Sequence, residues 1–176
     1  MKPLKLLSSI FLLLFVSLLA CKFKDKGKET ETKKTDDVTT KNMEVAKSFY
    51  SMFNNSDWAG VEKIMAPDIA DHSPMNATGS PVNRDTLMKY IKLNKESFPD
   101  MKFEVLSMAG NNDLVFVQYR FTGTNTGPMM GMPATNKKVE YTGVDLIKVK
   151  DGIAIEHWDY GDNISFMKQM GMLPEQ

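Results

Sequence analysis

The stretch Tyr141–Asp162, YTGVDLIKVKDGIAIEHWDYGD, decides how the chain folds. Tyr141, Gly143, Asp145, Ile147 and Val149 alternate along its first half, and Ile153, Ile155, His157 and Asp159 along its second. Period-two alternation marks strands with one buried face. Lys150-Asp151-Gly152 between them reads as a turn. A two-residue turn would set Val149 opposite Ala154 and Lys148 opposite Ile155. A three-residue loop with Gly152 left-handed would set Val149 opposite Ile153 and Ile147 opposite Ile155. The second register gathers these apolar residues on one face and is the one expected. It puts Asp145 opposite His157 and Gly143 opposite Asp159. Two carboxylates and an imidazole then share the apolar face, where ionisable groups are costly unless paired or useful. They form either a satisfied hydrogen-bond cluster in the core or the floor of a ligand pocket.

Toward the N-terminus the same period runs through Lys102–Met108, with Phe103, Val105 and Ser107 on one side. It continues through Leu114–Thr124, with Val115, Val117, Tyr119 and Phe121 on one face. Gly110–Asp113 is the turn between them. Arg120, on the opposite face, reads as solvated or paired across the sheet. Gly127–Asn136, GPMMGMPATN, is a loop carrying Met129, Met130 and Met132. Its methionines either pack on the core or form a lip that closes over an apolar ligand.

Helical spacing takes over further back. Met43, Ala46, Phe49, Tyr50 and Phe53 predict a helix over Asn42–Asn54. Ser56 reads as the cap of a second helix with Trp58, Val61, Ile64 and Met65 on one side, stopped at Pro67. Asp68–Pro81 reads as a loop. His72 in it is either a surface residue or one that faces a cavity. A third helix spans Asn83–Ser97, with Leu87, Tyr90, Ile91, Asn94 and Phe98 inward, and Ile164–Met170 gives a last short one ending at Gly171. Three helices followed by four antiparallel strands define an α+β class. A bent sheet with helices on its concave side would make a cone with one open end.

Lys plus Arg and Asp plus Glu number 22 each in 176 residues, enough for one domain. With no basic stripe interleaved with aromatics, nucleic acid is not an expected partner. Residues 1–20 carry Lys2 and Lys5, then the apolar run Leu6–Leu19, leading into Leu18-Leu19-Ala20-Cys21. This resembles a bacterial lipoprotein signal peptide with its lipobox. The resemblance implies cleavage before Cys21 and lipid on that residue. An ordinary secretory signal or short anchor is the alternative, and the run is short for a spanning helix. Cys21 is the only cysteine, which excludes an intrachain disulfide and thiolate metal sites. Residues 21–40, charged and threonine-rich, read as a disordered tether, and 41–176 as the folded domain. Lys22, where an aspartate would signal inner-membrane retention, favours the outer membrane of a bacterial envelope.

Several motifs recur in a familiar order. They are FNNSDW at Phe53, APDIADHSP at Ala66, FPD at Phe98, GTNTG at Gly123, GMPATNKKVEYTGVD at Gly131 and KDGIAIEHWDYGD at Lys150. Together they resemble the SnoaL-like polyketide and ester cyclases of the nuclear-transport-factor-2-like superfamily. The resemblance implies a cone-shaped α+β barrel around an apolar pocket, with no metal or cofactor. In the cyclases an acidic residue on a late strand serves as acid and base in an intramolecular aldol closure. Carried onto this chain, that residue is Asp159, with His157 and Asp145 beside it and His72 on the facing loop. Tyr141, Trp158, Asn125, Met129, Met130 and Met132 are the expected ligand contacts. Asn125 departs from the GTHTG of many relatives, since an amide donates a hydrogen bond but shuttles no proton. The expected partners are a small apolar ligand, a membrane reached through the lipid anchor, and a second copy across the open sheet face. Enzyme and non-catalytic binder both remain open at this point.

Overall fold

The computed structural model of the chain describes residues 26–73, 81–129 and 131–174. Cys21, Met130 and the segment read as a signal peptide lie outside the described residues. The chain divides into Met1–Lys33, described only from Lys26 onward as helix, and Lys34–Gln176, which holds all the side chains discussed below.

Helix α1 (Lys26–Asn54) buries Ala46, Tyr50 and Phe53, as its spacing predicts. It begins well before Asn42, so the residues read as a disordered tether are helical from Lys26. Lys and Glu permit helix without an apolar stripe. The helix is also tied down where the stripe fades. The Asn112 N–H donates to Thr39 Oγ1 at 3.1 Å, and Asn42 Nδ2 donates to the Asn112 carbonyl at 3.0 Å.

Helix α2 (Trp58–Lys63) is shorter than expected. Asp57 rather than Ser56 caps it, accepting from the Gly60 N–H at 2.9 Å. Ser56 instead turns the chain at a φ of 58°. Met65 belongs not to this helix but to strand β1 (Met65–Asp71), which the sequence reading missed. Pro67 reads as the stop of the second helix, and Asp68–Pro81 as a loop. β1 lies at the edge of the sheet, however, where a missing N–H is tolerated. Helix α3 (Arg84–Ser97) follows, capped by Asn83. Strands β2 (Lys102–Asn111), β3 (Leu114–Thr124), β4 (Lys138–Lys150) and β5 (Ile153–Gly161) and helix α4 (Asn163–Met170) complete the described elements.

The sheet order is β1-β5-β4-β3-β2. β1 runs parallel to β5 and the remaining pairs are antiparallel. The architecture is therefore the expected α+β, with five strands where four were read. The sheet is curved and unclosed, β1 and β2 being its edges. Val115, Val117, Tyr119 and Phe121 of β3 are buried on its inner face, as expected. On the outer face Arg120 pairs with Glu104 at 2.8 Å and Glu140 at 3.3 Å.

Two bulges correct the predicted faces. Asp151 and Gly152 adopt φ of 51° and 80°, a two-residue turn. Val149 thus faces Ala154, the register that the count of apolar residues argued against. Ile155 is then passed over, Lys148 faces Glu156, Ile147 faces His157 and Asp145 faces Asp159. Turn geometry wins locally, and one extra residue restores the buried face beyond it. Ala154 takes the inward place expected for Ile153 and Ile155. In β2 a shift between Val105 and Ser107 turns Ser107 outward, where its Oγ donates to Gln118 at 2.9 Å.

Ile69, 2% exposed, is the test of β1. Ile69→Ala is expected to lower the free energy of urea unfolding by about 2–4 kcal/mol. A loss below about 0.5 kcal/mol, the cost at a surface loop, would mean that Met65–Asp71 is not a packed strand.

Candidate functional site

Strand pairing brings the ionisable residues into rows on the inner face. Asp71 of β1 pairs with His157 of β5, and His157 with Ile147 of β4. One row on, Asp159 pairs with Asp145, which pairs with Val117. In the next row Gly143 stands beside Tyr119. A Cβ on Gly143 would come within 2.4 Å of the Tyr119 hydroxyl oxygen, so only glycine leaves that hydroxyl its place. These rows form the polar end of a cavity of about 530 Å³. Its other walls are mostly apolar, with Asn94, Ser97 and Asn163 among them, and come from α1, α3, α4 and the sheet, including Phe49, Leu87, Ile91, Phe121 and Phe166.

The polar groups form one connected network. His157 Nδ1 lies 2.6 Å from Asp71 Oδ1, and its Nε2 lies 3.4 Å from Asp145 Oδ1. The Tyr50 hydroxyl donates to Asp145 Oδ2. The Tyr119 hydroxyl donates to Asp159 Oδ1 at 2.6 Å. Burial alone would strip the proton from His157. The nearby carboxylates of Asp145 and Asp71, the latter hydrogen-bonded to Nδ1, outweigh it and push the imidazole up to about 10. Asp159 is raised from 3.8 to about 6, first by burial and then by the Asp145 charge, against the opposing pull of the Tyr119 hydroxyl and His157. Tyr50, Tyr119 and Tyr141 are all raised, chiefly by burial, so their hydroxyls stay protonated, and those of Tyr50 and Tyr119 act as donors.

Asp145, His157 and Asp159 thus come together as the hairpin pattern predicted, and Tyr141 and Met129 also line the cavity. Other expected residues do not. His72 stacks its ring on Trp158, with centroids 4.7 Å apart, and its Nε2 lies 3.4 Å from Glu156. Alternation explains this: in the parallel pair β1–β5, Asp71 and His157 turn inward, so His72 and Trp158 turn outward. Asn125 is fully buried, but as a loop clamp. Its Nδ2 donates to the Gly127 carbonyl at 2.8 Å and its Oδ1 accepts from the Thr135 N–H at 2.7 Å. Met132 pairs with Met129 through the backbone and does not line the cavity. Met130 lies outside the described residues.

Sequence reasoning missed Asp71, Tyr50 and Tyr119. Asp71 stands two residues beyond Ile69, the alternation of a strand, but Pro67 masked it. The two tyrosines sat inside apolar stripes and read as core. Among the described residues no group of three or more His, Cys, Asp and Glu side chains is arranged to hold a metal ion.

The fold and its inward carboxylate–imidazole cluster define a class, and comparison names the family. Residues 44–170 match the family model described as SnoaL-like polyketide cyclase, and the chain belongs to that family. Solved structures agree. AclR of Streptomyces galilaeus, assigned as a hydroxylase, is 26% identical over 78% of this chain and 85% of its own, with a TM-score of 0.70. IdmH of Streptomyces antibioticus, assigned as a polyketide cyclase, is 29% identical over 74% of this chain and 98% of its own, with a TM-score of 0.67. A SnoaL-like protein of Jannaschia sp. CCS1, 24% identical over 78% of this chain and 96% of its own, shares the fold with a TM-score of 0.70. No curated protein sequence matches the chain.

The raised Asp159 has a consequence for stability. The folded state holds its proton up to about pH 6, the unfolded chain only to about 4. The contribution is complete below pH 4 and is lost as pH rises through 6. Asp159→Asn is therefore expected to be more stable than the parent above pH 6, by about 1–3 kcal/mol, and no more stable below pH 4. Urea unfolding at both pH values measures this. An equal change at both would mean that the carboxylate is not desolvated.

Proposed function

We propose that the cavity carries out acid/base catalysis, without a cofactor, on a small, neutral, apolar carbonyl or ester compound. The observation that carries this reading is the placement of Asp159 on the same strand face as His157, at the one charged end of a mostly apolar cavity among the described residues. Asp159, deprotonated above about pH 6, is matched to removing an acidic carbon-bound proton near neutrality. In such a step the C–H bond breaks, the proton goes to Asp159 and the electron pair moves onto the carbonyl oxygen. The His157 imidazolium and a tyrosine hydroxyl stabilise the charge that develops there. The enolate carbon then attacks a second carbonyl of the same molecule, and Asp159 returns its proton to the new alkoxide. His157 acts as a fixed cation and donor, not as the base. Three carboxylates against one imidazolium disfavour an anionic ligand, which supports a neutral ester or ketone over a free acid. The family description and IdmH, assigned as a polyketide cyclase, support chemistry of this general kind.

Exchange of carbon-bound hydrogen tests the reading. Neutral β-keto esters incubated with the protein in D2O should exchange faster than in buffer, with a rate that rises through pH 6. Asp159→Asn should lower the enzymatic rate about 10²–10⁴-fold. Exchange equal in parent and variant, with β-keto esters still bound, would replace catalysis with the binding reading.

The N-terminal segment belongs to the same proposal. A lipid on Cys21 would hold the domain at a bacterial envelope, the outer membrane in preference to the inner. A second copy would sit on the outer sheet face, where Phe116 and Tyr160 are exposed. Cys21→Ser is expected to move the protein from the membrane pellet to the soluble fraction of a bacterial host. Retention in the pellet would point to an uncleaved anchor.

A further inference from the structure

Asp71, like Asp145, is a carboxylate of the cluster that the proposed chemistry leaves without a part. It is fully buried, and it lies on β1, the parallel edge strand. Its Oδ1 sits 2.6 Å from His157 Nδ1 and also accepts from Ser73 Oγ at 2.7 Å. The strand backbone holds the same pair in register, since the His72 N–H donates to the His157 carbonyl at 2.8 Å. The other ring nitrogen is in a different situation. His157 Nε2 is buried at the cavity's polar end and makes no hydrogen bond of good geometry, its nearest acceptor being Asp145 Oδ1 at 3.4 Å. Asp145 is already engaged by Tyr50 through its second oxygen.

We propose that Asp71 is a positioning residue: it grips His157 by Nδ1 and keeps the ring doubly protonated, so that Nε2–H is presented to the oxygen of a bound ligand. The inference rests on the proposed function for its ligand, but not for its geometry. The division of labour follows from the two distances. The short contact fixes the ring plane, and the long one leaves a donor in reserve. A metal-bound histidine is oriented in the same way by a carboxylate on its far nitrogen, and a triad histidine likewise. Asp71 from β1 and Asp145 from β4 contact the ring, and the other titratable groups lining the cavity with it are Asp159 from its own strand, Tyr141 from β4, Tyr119 from β3, Tyr50 from α1 and Tyr90 from α3. Asp145 and Asp159 also favour a charged ring, so loss of Asp71 should weaken the imidazolium, not abolish it.

The chain has two histidines, so nitrogen-15 NMR of the imidazoles reads both without further assignment than one variant of His72. In the parent protein, His157 should have both nitrogens protonated at pH 7 and titrate near pH 10. Asp71→Asn should bring that titration down by at least ~1 unit, a tenfold loss of proton affinity, while His72 stays as it was. Asp71→Glu should recover part of the shift. In the exchange assay, Asp71→Asn should move the alkaline limb of the pH profile down and leave the limb near pH 6 in place. A merely structural role would lower the rate equally at every pH. Should Asp71→Asn fail to fold, the parent spectrum still decides. A His157 that is neutral at pH 7, or that carries its proton on Nε2 alone, overturns the proposal. So does an unchanged titration in the folded variant. The NMR outcome stands whether or not any compound is turned over, so failure of the catalytic reading remains separate from failure of this one.

Discussion

Three carboxylates converge on one imidazole at the buried end of the sheet, and the rest of the site is arranged around making that arrangement tolerable. Removing ionised groups from water costs several kcal/mol each unless charge and hydrogen bonds return it. Here the return is specific. His157 lies between Asp71 and Asp145, Tyr50 satisfies Asp145, and Tyr119 satisfies Asp159. The balance is still incomplete. Negative groups outnumber the positive one, and Asp159 absorbs the excess by holding its proton up to about pH 6. A carboxylate left in that condition is a source of instability for the fold above that pH.

The backbone serves that cluster in ways that appear ornamental in isolation. β1 adds a parallel edge strand whose last residue is Asp71, and without it His157 would have one carboxylate partner fewer. The bulge at Ile155 turns His157 and Asp159 to the same side as Asp145 after a turn that would otherwise have reversed them. Gly143 gives way to the Tyr119 hydroxyl. Each is a small local departure from a regular strand, and each aims a polar group at the same end of the cavity.

Membership of the SnoaL-like family fixes the scaffold, and a scaffold hosts more than one chemistry. Neighbours as similar as AclR and IdmH are assigned different reactions. Here Asp159 is held by a tyrosine, His157 lies between carboxylates, and Asn125 closes a loop. That amide is spent on backbone groups, so it takes no part in the cavity.

Much of this was legible from residue order alone, and the remainder was hidden for identifiable reasons. The inward placement of Asp145, His157 and Asp159 could be read because alternation along a strand is a local property, and so could the stripes of α1 and α3. Their exact partners could not, because a turn and a bulge each shift the register by one, and two such shifts cancel in the face while changing every pair. Trp158 looked inviting as a residue type although alternation between His157 and Asp159 already turned it outward, whereas the side that His72 occupies depends on a parallel pairing between segments more than eighty residues apart. Asp71, Tyr50 and Tyr119 were invisible as a set for the same reason. The amino-acid order by itself determined the class of fold, the family and the buried carboxylate–imidazole face. Only the tertiary structure decided which groups touch, since hydrogen bonds and charge interactions act over a few ångströms between side chains that the chain itself keeps far apart.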